Sequence, residues 1–77
     1  MIAELVEAIV RGIVDHPDDI HIAIVEGSTV IAVELKVHPD DLGKVIGREG
    51  NMAWAIRTIL SNAATRMKKK AILQIVE

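Results

Sequence analysis

Apolar residues recur at helical spacing in the first segment. Ile2, Leu5, Val6, Ile9 and Ile13 share one side, and Glu4, Glu7 and Arg11 lie opposite. This pattern predicts a first helix ending near Asp15, because Pro17 disfavours helical dihedrals at His16. The rhythm then changes. "IHIAIVEGSTVIAVELKV" is rich in β-branched residues and breaks at Gly27-Ser28, predicting a hairpin with strands near 20–26 and 29–37. Pro39-Asp40-Asp41 opens a short helix reaching about Ile46, with carboxylates at its positive end. Beyond a glycine-bearing loop, Ala53, Ile56, Leu60, Ala63 and Met67 mark the buried stripe of a longer helix over 50–67. "AILQIV" (71–76) closes as a strand, with Leu73 and Ile75 on one face and Gln74 on the other. The predicted order is α-β-β-α-α-β: an α+β fold with helices on one face of a three-stranded mixed sheet.

Length and composition narrow the function. Residues 1–77 suffice for one domain with a single small core, and 51% hydrophobic residues argue against a disordered tail. There is no cysteine, so neither a disulfide framework nor a thiolate metal site is available, which suits a reducing cytoplasm. The N-terminal segment carries Glu4, Glu7 and Arg11, so it lacks the basic start and unbroken apolar run of a signal peptide. No stretch has the length of a membrane span.

A net charge of −2 speaks weakly against a nucleic-acid partner, but it conceals a division. Residues 1–43 hold two basic and nine acidic residues, whereas 44–77 hold seven basic and two acidic. The sign changes at Lys44, just before the loop "VIGREGN", which points to an anionic partner on one side. The "RMKKK" run (66–70) has a plainer use, as solvated cations favouring a helix C-terminus.

The loop itself holds Gly47 and Gly50 around exposed Arg48 and Glu49, between two helices. Such a junction leaves unpaired backbone N–H groups at the start of the second helix, where the dipole favours an anion. Glycine lacks a Cβ, so a sugar–phosphate chain can come close to the backbone. Gly47 as a cap of the short helix and Gly50 as the start of the next is the structural alternative, and a GxxG alone does not decide between them.

The context does more. "LGKVIGREGNMAWAIRTIL", within this element order, resembles the signature of KH domains in their bacterial (type II) arrangement. In length, in "HPDDLGKVIGREG" and in "AIRTIL", the chain resembles the small single-KH proteins of the KhpA family. That resemblance implies a non-catalytic protein whose GxxG loop clamps about four nucleotides of single-stranded RNA. It also implies a homodimer, or pairing with a second KH protein of the KhpB (Jag) type, and a place in RNA regulation linked to cell growth, shape and envelope synthesis. By the same resemblance Gly47, Arg48, Glu49 and Gly50 hold the RNA backbone, Lys44 adds charge, and Val45, Ile46 and Leu35 line an apolar groove. Arg57 contacts RNA or buttresses the loop; a surface ion pair is its structural alternative.

Departures from the family pattern bear on strength. Asn51 stands where a basic residue is frequent, Trp54 replaces a common lysine, and Glu49 brings a carboxylate into the clamp. Weak binding by a lone module follows, with avidity recovered by pairing. Trp54, beside Thr58, Ser61 and Thr65, lies off the buried stripe; partner contact suits Trp54, Thr58 and Ser61 better than base stacking. His16, His21 and His38 with Asp18, Asp19, Asp40 and Asp41 match no familiar zinc spacing, so no metal, cofactor or small-molecule substrate is expected. No nucleophile–base arrangement is evident, so no catalysis is expected. A protein–protein assembly module with a vestigial RNA groove is the alternative function. A membrane-surface role for the first helix is disfavoured by its two glutamates and its need to cover the core.

Overall fold

The structure, a computed structural model, describes residues 1–76. Its elements are α1 (Ile2–Arg11), β1 (His21–Glu26), β2 (Val30–Lys36), α2 (Leu42–Ile46), α3 (Asn51–Arg66) and β3 (Lys70–Val76). Single 3-10 turns lie at Pro17–Asp19, Pro39–Asp41 and Arg48–Gly50. The sheet has order β1-β2-β3, with β1 antiparallel and β3 parallel to β2, so the expected mixed sheet is present. The register pairs Ile24 with Val33 and Val33 with Leu73 on the covered face. Period-two alternation therefore sends Ile31, Val33 and Leu35 inward together.

The core lies between that face and the helices. Val6, Val10, Leu35, Val45, Leu60 and Ala64 are each fully enclosed at 0% exposure. Burying an aliphatic side chain of this size contributes roughly 1.5–3 kcal/mol, so a few such positions carry much of a small domain's stability. Two phases of the helical patterns shift by one residue. Val10 is deeper than Ile9 in α1, and Ala64 is the buried alanine of α3, with Ala63 only partly covered.

The first helix also stops earlier than its apolar pattern predicts, at Arg11 rather than near Asp15. Gly12, a poor helix former, caps it. The Ile13 and Val14 N–H groups still reach the Val10 carbonyl, but the next two donors go elsewhere. Asp15 N–H and His16 N–H both donate to the buried carboxylate of Asp41, at 3.1 and 2.9 Å. The His16 ring Nδ1 lies 3.0 Å from the same carboxylate.

Burial pushes the Asp41 carboxyl up, but the two backbone donors and His16 outweigh it and hold the carboxyl down at about 2. Folding thus makes Asp41 harder to protonate. Its contribution is fully present above about pH 4 and is lost as pH falls through about 2. Asp41→Asn is expected to lower Tm by roughly 5–10 °C at pH 7. The deficit should shrink toward pH 2 in thermal melts. An unchanged Tm at pH 7 would show that the carboxylate does not fasten the turn.

Candidate nucleic-acid interface

Asp41 stands at the N-terminus of α2, so the anchored carboxylate fixes the helix that leads into the glycine loop. α2 packs on α3, and the chain between them bends within four residues. Gly47 has φ 78° and ψ 176°, Glu49 φ 56° and ψ 26°, and Gly50 φ 78° and ψ 9°. Three of the four loop residues thus occupy positive φ, and Glu49 does so without being glycine.

The two glycines have different reasons. A Cβ on Gly47 would sit 2.6 Å from Met52 Cβ and 2.8 Å from Met52 N, so this glycine permits the close approach of the loop to the first turn of α3. A Cβ on Gly50 would meet nothing within 4 Å, so only its left-handed backbone calls for glycine. The approach of an outside chain to bare backbone, expected of both glycines, is therefore open at Gly50; Gly47 is occupied by the protein itself.

Hydrogen bonds within the loop run from Gly47 N–H to Gly43 C=O, from Gly50 N–H to Gly47 C=O and from Asn51 N–H to Arg48 C=O. The Arg48 and Glu49 N–H groups lead the single 3-10 turn Arg48–Gly50, and the leading donors of a helical turn have no partner within it. They lie beside the N-terminus of the 16-residue α3, where the helix dipole is positive. Arg48 is exposed and makes no ion pair among the described residues.

The remaining expected site residues divide. Ile46, 38% exposed, reaches the surface beside the loop, but Val45 and Leu35 are both at 0%. They support the groove from beneath and do not line it. Lys44 is turned away from the loop into ion pairs with Asp15 and, at 3.6 Å, with Asp41. The hydrogen bond that it donates to the Asp15 carboxylate raises its ammonium pKa, with partial burial opposing. Asn51 is exposed at the first position of α3.

Arg57 makes no ion pair among the described residues and instead donates to the Leu73 carbonyl of edge strand β3 at 3.4 Å. Beside it, Arg57, Leu60, Ser61, Ala71, Ile72 and Leu73 line a groove of about 230 Å³ between α3 and β3. Ile72, half exposed, was not singled out from the sequence, although alternation in β3 places it on the Gln74 face.

Trp54 is 68% exposed, as its helical position implies. The Thr58 hydroxyl donates to the Trp54 carbonyl at 2.9 Å, and Thr65 donates to Ser61 C=O at 2.8 Å. These hydroxyls are partly spent on their own helix, which makes the surface around the indole less polar than its sequence. Ile59 adds a further exposed apolar residue on α3.

At the opposite end of the α2 region, the His16 and His38 rings stack with centroids 4.0 Å apart. His16, His38 and Asp40 bring three potential metal-ligand atoms within 4.8 Å, a grouping that sequence spacing did not suggest. Each partner has a structural task already: His16 contacts Asp41, and His38 Nδ1 accepts the Asp40 N–H at 3.0 Å.

The parallel β2–β3 pairing, the hairpin preceding α2 and the GxxG turn between α2 and α3 define a type II KH fold. A family model described as "KhpA/KhpB, KH domain" matches residues 3–75, and the chain belongs to that family, a non-enzymatic one. An "RNA-binding protein KhpA" of Clostridium perfringens is 48% identical over 73 residues, covering 95% of this chain and 97% of its own. Proteins of the same description from Caldanaerobacter subterraneus and Aquifex aeolicus are 45% identical over 73 residues and 38% over 74. They cover 95% and 96% of this chain, and 97% and 94% of their own lengths. No solved structure gives a significant match.

The different surroundings of the glycines lead to unequal costs. Gly47→Ala is expected to lower Tm by at least about 8 °C, because strain at positive φ is joined by the Met52 clash. Gly50→Ala carries only the backbone penalty, on the order of 1 kcal/mol, or about 4–8 °C. Thermal melts of the two variants check this; equal losses would contradict the assignment.

Proposed function

We propose that this chain binds single-stranded RNA, with the Gly47–Gly50 loop gripping about four nucleotides of backbone. The observation that carries the reading is the left-handed turn at Glu49 and Gly50, which sets the leading N–H groups of Arg48–Gly50 at the start of α3 beside an unpaired arginine. They suit a phosphate, and the open space at Gly50 lets the strand approach. Ile46 and the α3–β3 groove offer apolar surface to bases, with Arg57 at its side. The relatives' description as RNA-binding proteins supports the same reading.

Grip by one module is weak, because Glu49 opposes Arg48 and Lys44 is engaged by carboxylates. Three phosphate contacts give a salt slope of about −2, or roughly a twentyfold loss of affinity between 50 and 200 mM salt. The whole chain acts as one KH module in the cytoplasm, paired with a second copy or with a KhpB-type KH protein. The surface around Trp54, Thr58 and Ser61 is the contact for that pairing, since a large exposed indole among small residues suits an interface centre. It also favours the second reading, in which assembly is the main task and the RNA groove is secondary.

Fluorescence anisotropy with a short single-stranded RNA pool at 50 mM salt tests the grip. Arg48→Asp with Glu49→Asp reverses the charge while keeping both glycines and a residue that tolerates left-handed backbone. Affinity is expected to fall at least about tenfold with the fold intact. Undiminished binding by the folded variant would remove the loop from the interface. Asp15→Asn, which releases Lys44, is expected to raise affinity about two- to fourfold in the same assay. No gain would show that Lys44 does not reach the RNA.

A further inference from the structure

The helices cover one face of the sheet and leave the other bare. Period-two alternation puts Ala23, Val25, Ala32, Glu34, Ile72 and Gln74 on the bare face, where they line a shallow depression of about 140 Å³. The register sets them in rows across the strands. Val25, Ala32 and Ile72 form one row, and Ala23, Glu34 and Gln74 form the next. On the other side of the apolar row, Val30 stands beside Lys70.

A solvated sheet face ordinarily presents polar residues, and parallel strands mostly occur with both faces covered. Here the parallel pair β2–β3 is open on one side, and a complete apolar row crosses it. Val25 is 72% exposed and Ile72 50%, so neither serves the core. Ala32 between them is small, which leaves room for a facing side chain.

The charges beside this row select what fits it. Glu34 and Lys70 are both exposed, and among the described residues neither makes an ion pair. They flank the apolar row on opposite sides, about 13 Å apart along the strands, too far to pair within one chain. A two-fold axis crossing the strands at Ala32 brings such groups together. It stacks two bare faces antiparallel and lays the apolar row of one copy on that of the other. Lys70 of the second copy then lies over the Glu34 row, one strand spacing of about 4.8 Å to the side. The reciprocal pair forms by the same symmetry, so the face complements itself in shape and in charge.

We infer that the bare sheet face docks a second copy of this chain, through Val25, Ala32 and Ile72 and two reciprocal Glu34–Lys70 pairs. Three strands by six residues give a footprint of about 14 by 20 Å on each copy, far below the roughly 800 Å² per partner of a standard complex. The contact is therefore weak and forms where copies are concentrated. It lies on the opposite layer from Trp54, so the two surfaces together allow assembly beyond a dimer.

The test is sedimentation of the full chain carrying Trp54→Ser, which removes the helix-side contact, at about 50 mM salt. Between about 20 μM and 1 mM protein the mass is expected to rise from monomer toward dimer, and dilution should move amides of 23–25, 32–34 and 70–74 by NMR. Glu34→Lys or Lys70→Glu, added singly, should weaken association at least about fivefold, because each sets like charges against one another across the two-fold. Both positions are exposed, so the fold is kept. An equimolar mixture of the two variants should recover the original association within about twofold, since each chain supplies the charge the other has lost. Only a contact between copies is rescued in that way. A chain still monomeric at about 1 mM, association unmoved by either substitution, or a mixture no stronger than its components would each overturn the inference. None of these outcomes touches the loop's reading as the RNA grip.

Discussion

The missing side chain of Gly47 is the constraint on which the site depends. With 2.6 Å between a Cβ there and Met52 Cβ, any other residue forces α2 and α3 apart. Because the helices stay close, the chain between them is confined to the single turn Arg48–Gly50, whose leading N–H groups have no partner within that turn. A packing requirement thereby creates a binding opportunity. Gly50 contributes the other half, since its open surroundings make the bare backbone accessible.

That tight turn needs a fixed base, and Asp41 supplies it. One buried carboxylate collects Asp15 N–H, His16 N–H and the His16 ring, joining the end of the α1 segment to the start of α2. Retaining a buried charge is costly unless its lone pairs are satisfied, and three partners satisfy them here. The same cluster draws Lys44 inward, so the device that positions the loop also reduces the positive charge beside it. Weak single-module binding and a fixed loop thus have a common origin.

Much of this was legible in the sequence because the local signals agree. The hairpin, the long α3 and the closing strand follow from periods of 2.0 and 3.6, and the Gly47/Gly50 spacing marked the loop. What escaped is what depends on distant parts of the chain. Asp41 reads as an ordinary helix-start carboxylate, since nothing local announces donors 25 and 26 residues away. Val45 and Ile46 are neighbours of equal hydrophobicity, and only the seating of α2 buries one and exposes the other. The division of labour between the glycines was equally hidden, because it is set by where Met52 lies. Lys68 carried no sequence mark of left-handed backbone at all.

The most direct test follows individual backbone amides by NMR as a uridine tetramer is added to the labelled chain at 50 mM salt. If the loop grips phosphate through its leading backbone donors, the Arg48 and Glu49 amides move most, saturably and toward stronger hydrogen bonding, while the Trp54 face stays still. Loop amides that remain fixed at millimolar tetramer, or shifts confined to the Trp54 face, would contradict the account and make assembly the principal task of this fold.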